Sequence, residues 1–152
     1  MKNLGLAYLN GKSIKSISRV SLSENETEYL HLDDTFILQT TNGSLIQILI
    51  DYKIFVYKLE SEQEIIILGE YDLPNCKITI ENIYESQQPQ TINSIYSYTY
   101  GESYNFGSKF LNALGNFIFG FCYGFDELIL IDKSEFNTLI QKSYNHITEK
   151  LI

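Results

Sequence analysis

Thr35-Phe36-Ile37-Leu38-Gln39-Thr40-Thr41-Asn42-Gly43-Ser44-Leu45-Ile46-Gln47-Ile48-Leu49-Ile50 sets two apolar, β-branched runs on either side of an Asn-Gly dipeptide. Asn-Gly tolerates the positive φ angles of a two-residue hairpin turn better than almost any other pair, so the stretch predicts two antiparallel strands. Upstream, Ser13 to Ser23 places Ser18, Val20 and Leu22 in period two, which favours another strand, and Glu24 to Glu28 follows as a solvated loop. Downstream, Lys53 to Leu59 and Ile65 to Tyr71 are apolar on both faces around the polar Glu60–Glu64 turn, the pattern of central strands. Cys76, Ile78 and Ile80 alternate with polar residues as a half-buried strand does. Thr91 to Tyr100 puts Tyr96, Tyr98 and Tyr100 on one face, and Gly101 to Ser108 reads as a loop. Phe117–Tyr123 and Glu127–Ile131 suggest a last hairpin turning at Gly124 to Asp126.

After that hairpin the period changes. Phe136, Leu139, Ile140, Ser143, Ile147 and Leu151 fall on one helical stripe, with Asp132 as cap and Glu135 as capping-box partner. A helix from about Ser134 to Lys150 is expected. The class is therefore α+β: a mostly antiparallel β-meander of seven to nine strands, with a C-terminal amphipathic helix packed on the sheet. Turns this short leave no room for the crossover helices of a parallel sheet.

The 152 residues are enough for one self-sufficient core, and no Pro/Gly/Ser linker divides them, so residues 1–152 are expected to form a single domain. Eleven basic against nineteen acidic residues leave a net charge of -8, which opposes direct binding to nucleic acid or an anionic membrane. The uncharged run from Phe110 to Phe125 is shorter than the roughly 20 residues of a membrane span. Polar Asn10, Gly11, Lys12 and Ser13 interrupt the N-terminal apolar run too early for a secretory leader, and Cys76 and Cys122 make no disulfide framework. A cytoplasmic location follows as an expectation.

Chemistry-bearing motifs are scarce. The two histidines, His31 and His146, carry no metal-ligand spacing, and there is no Cys-x-x-Cys, nucleophile elbow or phosphate-binding glycine loop, so neither cofactor nor metal is expected. Two features remain. Glu24, Glu26, Glu28, Asp33 and Asp34 form one acidic run without an internal base; Glu60, Glu62, Glu64, Glu70 and Asp72 form another. Residues two apart on an extended chain point the same way about 6.6–6.8 Å apart. Glu60, Glu62 and Glu64 could thus present a row of anions. The second feature is aromatic: Tyr96, Tyr98, Tyr100 and Tyr104, with Phe106, are denser than a strand and loop require, and tyrosine is favoured in interfaces.

In size, acidity, α+β character and lack of catalytic motifs, the whole chain resembles the small acidic immunity proteins encoded beside bacterial toxins. The likeness carries over no individual residue. It implies a non-enzymatic, protein-binding inhibitor that neutralises a basic partner such as a toxin or nuclease, the acids steering the encounter and the tyrosines anchoring it. The alternatives are a structural or regulatory module of a larger bacterial assembly, and an enzyme of unrecognised type built on His31 with two or more carboxylates.

Overall fold

The computed structural model describes residues 2–25, 28–69, 75–101, 104–124, 127–131 and 147–152. Ten strands lie among them: β1 (Ile14–Asn25), β2 (Glu28–Thr40), β3 (Leu45–Asp51), β4 (Lys53–Leu59), β5 (Lys77–Glu85), β6 (Ser94–Tyr100), β7 (Tyr104–Leu111), β8 (Phe117–Gly124), β9 (Glu127–Ile131) and β10 (Ile147–Leu151). They form two five-stranded sheets, β4-β3-β2-β1-β5 and β10-β6-β7-β8-β9, and every pairing is antiparallel. The inner faces share one core, to which the first sheet contributes Ile17, Phe36, Leu38, Ile48 and Val56 and the second Ile95, Phe110, Phe119 and Phe121. This is a β-sandwich.

The α+β expectation is thereby corrected. Ile147 to Leu151 is not helical but pairs with β6, Ile147 opposite Tyr100 and Leu151 opposite Tyr96. A spacing of four residues is one helical turn, and it is also two full periods of a strand, so Ile147 and Leu151 satisfy both patterns. The rest of the expected helix, residues 134–146, lies outside the described residues. The helical structure among the described residues is limited to 3-10 turns, at Leu6–Leu9, at Glu62–Glu64 and at Asn75. No helix among them is long and apolar enough to cross a membrane.

The hairpin between β2 and β3 forms as expected, with a longer loop than expected. The Thr40 N–H donates to the Ser44 carbonyl at 3.0 Å, which leaves Thr41, Asn42 and Gly43 as a three-residue loop. Only Gly43 takes positive φ there, at 89°. Asn42 contributes through its side chain instead, its Oδ1 accepting from the Thr40 hydroxyl and from the Ser44 N–H. The hairpin of β8 and β9 is also present.

Two further expectations change. The Gly101–Ser108 loop gives way to β7, whose polar residues have specific places in the sheet. A Cβ on Gly107 would stand 2.8 Å from the Phe121 carbonyl oxygen, and fully buried Ser108 donates its hydroxyl to the Tyr96 carbonyl at 2.8 Å. Nor are Lys53–Leu59 and Ile65–Tyr71 central strands. The first is β4, at the edge of its sheet, where Val56 donates to Asn3 Oδ1 at 2.9 Å and accepts from Leu4 N–H at 2.8 Å. That N-terminal segment buries Leu6 and Leu9 and blunts an otherwise open strand edge.

The second, from Ile65 to Leu68, is neither helix nor strand. It lies over the outer face of the first sheet, packed with Val20, Leu22, Ile37 and Leu59 in a separate apolar cluster. Gln47 holds it there. This fully buried amide donates to the Ile66 carbonyl at 2.7 Å and accepts from the Ile66 N–H at 2.9 Å, while its other N–H reaches Thr35 Oγ1 at 2.9 Å. A side-chain amide thus replaces the missing strand partner of Ile66 and pays the desolvation of both its backbone groups. Gln47→Leu, nearly matched in volume, should lower unfolding stability by about 1–3 kcal/mol, because it orphans two half-buried backbone groups as well as losing the bonds. Denaturant melts would check this, and a cost below about 0.5 kcal/mol would show that the clamp matters little.

Candidate functional site

The most unusual local geometry lies where irregularities of the two sheets meet. β1 and β2 pair at Arg19–Phe36 and next at Ser21–His31, so β1 advances two residues while β2 advances five. The three extra residues make a wide bulge holding Asp33 and Asp34. Asp33 is exposed and Asp34 half-buried. The Asp34 carboxyl titrates above its ordinary value, chiefly because burial disfavours its charge, and then because Asp33 and Asp51 repel it; a hydrogen bond to its own backbone pulls the other way.

Asp51 arrives from the neighbouring hairpin. Asp51 pairs with Lys53, leaving Tyr52 alone to turn the chain from β3 into β4. Tyr52 has φ 58°, the only positive φ at a non-glycine among the described residues, and it is 74% exposed. A bulky residue in that region is strained and needs external support. β7 of the other sheet supplies it. The Asn105 N–H donates to the Tyr52 carbonyl at 2.9 Å, and the Tyr104 ring meets the Tyr52 ring edge-on with centroids 5.8 Å apart. Beside them the Asn105 Oδ1 is buried without a hydrogen-bond partner among the described residues. Tyr52 is thus strained and outward-facing, and is held in that conformation by the other sheet. Among the described residues no cation forms an ion pair with Asp33, Asp34 or Asp51.

The anticipated site residues distribute unevenly around this end of the sandwich. Asp33, Asp34 and Tyr104 belong to it. Glu60, Glu62 and Glu64 do not form an extended anionic row: the 3-10 turn coils them, and Glu64 folds back to accept the Glu60 N–H at 2.6 Å, leaving Glu60 and Glu62 exposed. Glu24 lies in β1 and Glu28 in β2. Glu26, Glu70 and Asp72 lie outside the described residues.

The other tyrosines stand on β6, opposite β10. Tyr98 is buried with Phe106 and Cys122, so it is core and not a surface anchor. Its hydroxyl donates to Glu149 Oε2 at 2.7 Å, and burial together with that bond pushes the phenol upward. Lys109 lies 3.6 Å from the same carboxylate and 4.9 Å over the half-buried Tyr96 ring. Tyr100 is 43% exposed. Burial likewise raises the Cys122 thiol, to about 11, which keeps it protonated and unreactive at neutral pH. His31 is exposed and has Ser21 Oγ, not a carboxylate, 2.6 Å from its Nδ1. Among the described residues no group of three His, Cys, Asp or Glu is placed to hold a metal.

Sequence reasoning passed over Asp51, Tyr52 and Asn105. One signal for the first two was available: Asp51-Tyr52-Lys53 interrupts two apolar runs and so marks a tight turn. No protein-family profile, curated protein or solved structure matches this chain.

The Asp34 shift gives a testable pH dependence. An acid whose folded value lies above its unfolded 3.8 binds protons better when folded, so its contribution grows as pH falls from neutral through the raised value and levels off below 3.8. Asp34→Asn should remove that slope and make the protein more stable at pH 7 than the wild type. Thermal melts from pH 7 to pH 4 would decide it, and a loss of stability at pH 7 would show that the ionised carboxylate is needed by the fold.

Proposed function

We propose that this chain is a non-catalytic, stoichiometric inhibitor of immunity type, which neutralises a basic protein partner through the end of the sandwich bearing Asp33, Asp34, Asp51 and Tyr52. The observation that carries the reading is the pairing of uncompensated carboxylates with a strained, exposed aromatic. Burial and two neighbouring carboxylates both disfavour the charge on Asp34, so a lysine or arginine brought beside it relieves an existing penalty. Tyr52 offers a large rigid contact with a polar tip next to those charges. The net charge of -8 extends the attraction to long range and favours fast encounter with a basic surface. Glu60 and Glu62 join that long-range field from elsewhere on the surface. A cytoplasmic location fits this reading, since an immunity protein meets its toxin inside the producing cell.

Coexpression with a basic toxin or nuclease encoded beside its gene should restore growth, and the purified pair supplies the kinetics. Asp33→Asn with Asp51→Asn should slow association and flatten its salt dependence, since exposed charges act mainly on encounter. Tyr52→Ala should leave association nearly unchanged and speed dissociation, with a loss of about 2 kcal/mol or more if it is a hot spot. An association rate indifferent to salt and to both Asp changes would remove the electrostatic inhibitor and favour an apolar interaction module.

A further inference from the structure

The first sheet ends in β5, which pairs with β1 from Ser23–Lys77 to Ser16–Glu85. On its other side no backbone group of Lys77 to Glu85 finds a partner in another segment among the described residues. The second half of β5 is nevertheless blunted. Ile17 pairs with Tyr84 and Ser18 with Asn82, so Ile83 is an extra, bulged residue, and the Asn82 side chain accepts the Tyr84 N–H at 3.1 Å. Lys77 to Glu81 carries no such device. It is a regular, unprotected edge of five residues, beside the exposed Ile83 and Tyr84.

We propose that this edge pairs with β5 of a second copy of the chain about a two-fold axis through Thr79, joining two first sheets into one continuous antiparallel sheet. An axis perpendicular to a sheet keeps each side chain on its own face and pairs residues equally spaced from the centre. Centred on Thr79, it sets Lys77 against the partner's Glu81, Ile78 against the partner's Ile80, and Thr79 against the partner's Thr79, with each unlike pair occurring twice. Both charged positions are exposed and have no ion-pair partner among the described residues, and each receives its opposite. The central position matters most. Thr79 Oγ1 is buried with no hydrogen-bond partner among the described residues. A buried hydroxyl left unpaired is a standing cost, relieved when rotation about its Cα–Cβ bond turns it to the open edge, where directly opposed threonines on antiparallel strands bond to one another. Neighbouring registers lose this match: centring on Ile80 sets Lys77 against the partner's Ile83, and centring on Glu81 sets two glutamates face to face.

Dimerisation through β5 is independent of partner binding at Tyr52, which lies at the β3–β4 turn. Sedimentation across a concentration series of the full chain tests it. The wild type should shift from 17.6 kDa to twice that mass. Lys77→Glu and Glu81→Lys should each raise the dimer dissociation constant about tenfold or more, since each reversal acts twice per dimer. The double variant K77E/E81K should restore dimerisation, because the charges again oppose. Circular dichroism confirms that the monomers remain folded. Should a reversal unfold the chain, Thr79→Val provides a second measurement with opposite signs: removal of the orphaned hydroxyl should stabilise the monomer yet weaken the dimer several-fold. A wild type that stays monomeric to its solubility limit, a dimer indifferent to these changes, or a double variant no better than the singles would overturn the proposal.

Discussion

Phe36 of β2 and Phe121 of β8 meet edge to face with ring centroids 5.0 Å apart, and this contact brings one sheet against the other. β2 is the middle strand of its sheet, and Phe121 also packs with Phe110, which stacks on Phe119 at 4.3 Å. Four aromatic rings therefore fill the centre of the sandwich, contributing both burial and favourable ring geometry. Gly107 and Gly120 lie on adjacent strands of the same sheet, and a Cβ on Gly107 would collide with the Phe121 backbone. The close approach of β8 to β7 thus explains a glycine that reads locally as a strand breaker.

The candidate site is a consequence of the same packing. Once the aromatic core sets the sheets face to face, the β3–β4 turn comes against the start of β7, and an inter-sheet hydrogen bond from Asn105 secures Tyr52 in its strained conformation. On the first sheet, the long strands β1 and β2 stay paired only by absorbing extra residues, and the largest bulge places Asp34 half-buried near Asp51. Strain at Tyr52 and desolvation at Asp34 are both local costs, met by the surrounding core. Their concentration at one end of the molecule, facing solvent, is what a recognition surface requires.

Two interactions elsewhere in the first sheet cover what its own strands leave open, one at an edge and one on its outer face. The N-terminal segment closes β4 through Leu4 and Asn3, and Gln47 anchors Ile66 over the outer face. β5 receives neither treatment along Lys77 to Glu81. With one edge of the first sheet covered and half of the other bulged, the short stretch that remains on this sheet is a candidate pairing surface, and its unlike charges restrict which strand can add to it.

The sequence by itself determined the antiparallel character, the β2–β3 and β8–β9 hairpins, and the strands at Ile14, Lys77 and Ser94, because turn chemistry and period-two burial are local properties that neighbouring residues express directly. It also carried the acidity, and Asp33, Asp34 and Tyr104 as residues of interest. Only the tertiary structure decided that Ile147 and Leu151 join a strand, since their spacing suits both a helix and a sheet and the choice rests on pairing with β6, nearly fifty residues away in the chain. The same holds for Gly107, which is intelligible only against Phe121, and for Ile65 to Leu68, whose backbone depends on Gln47. Tyr98, expected as a surface anchor, became core, while Tyr52 is the most exposed tyrosine among the described residues. Burial is set by which sheets stack and where their bulges fall, and those depend on contacts between residues that no local window contains together.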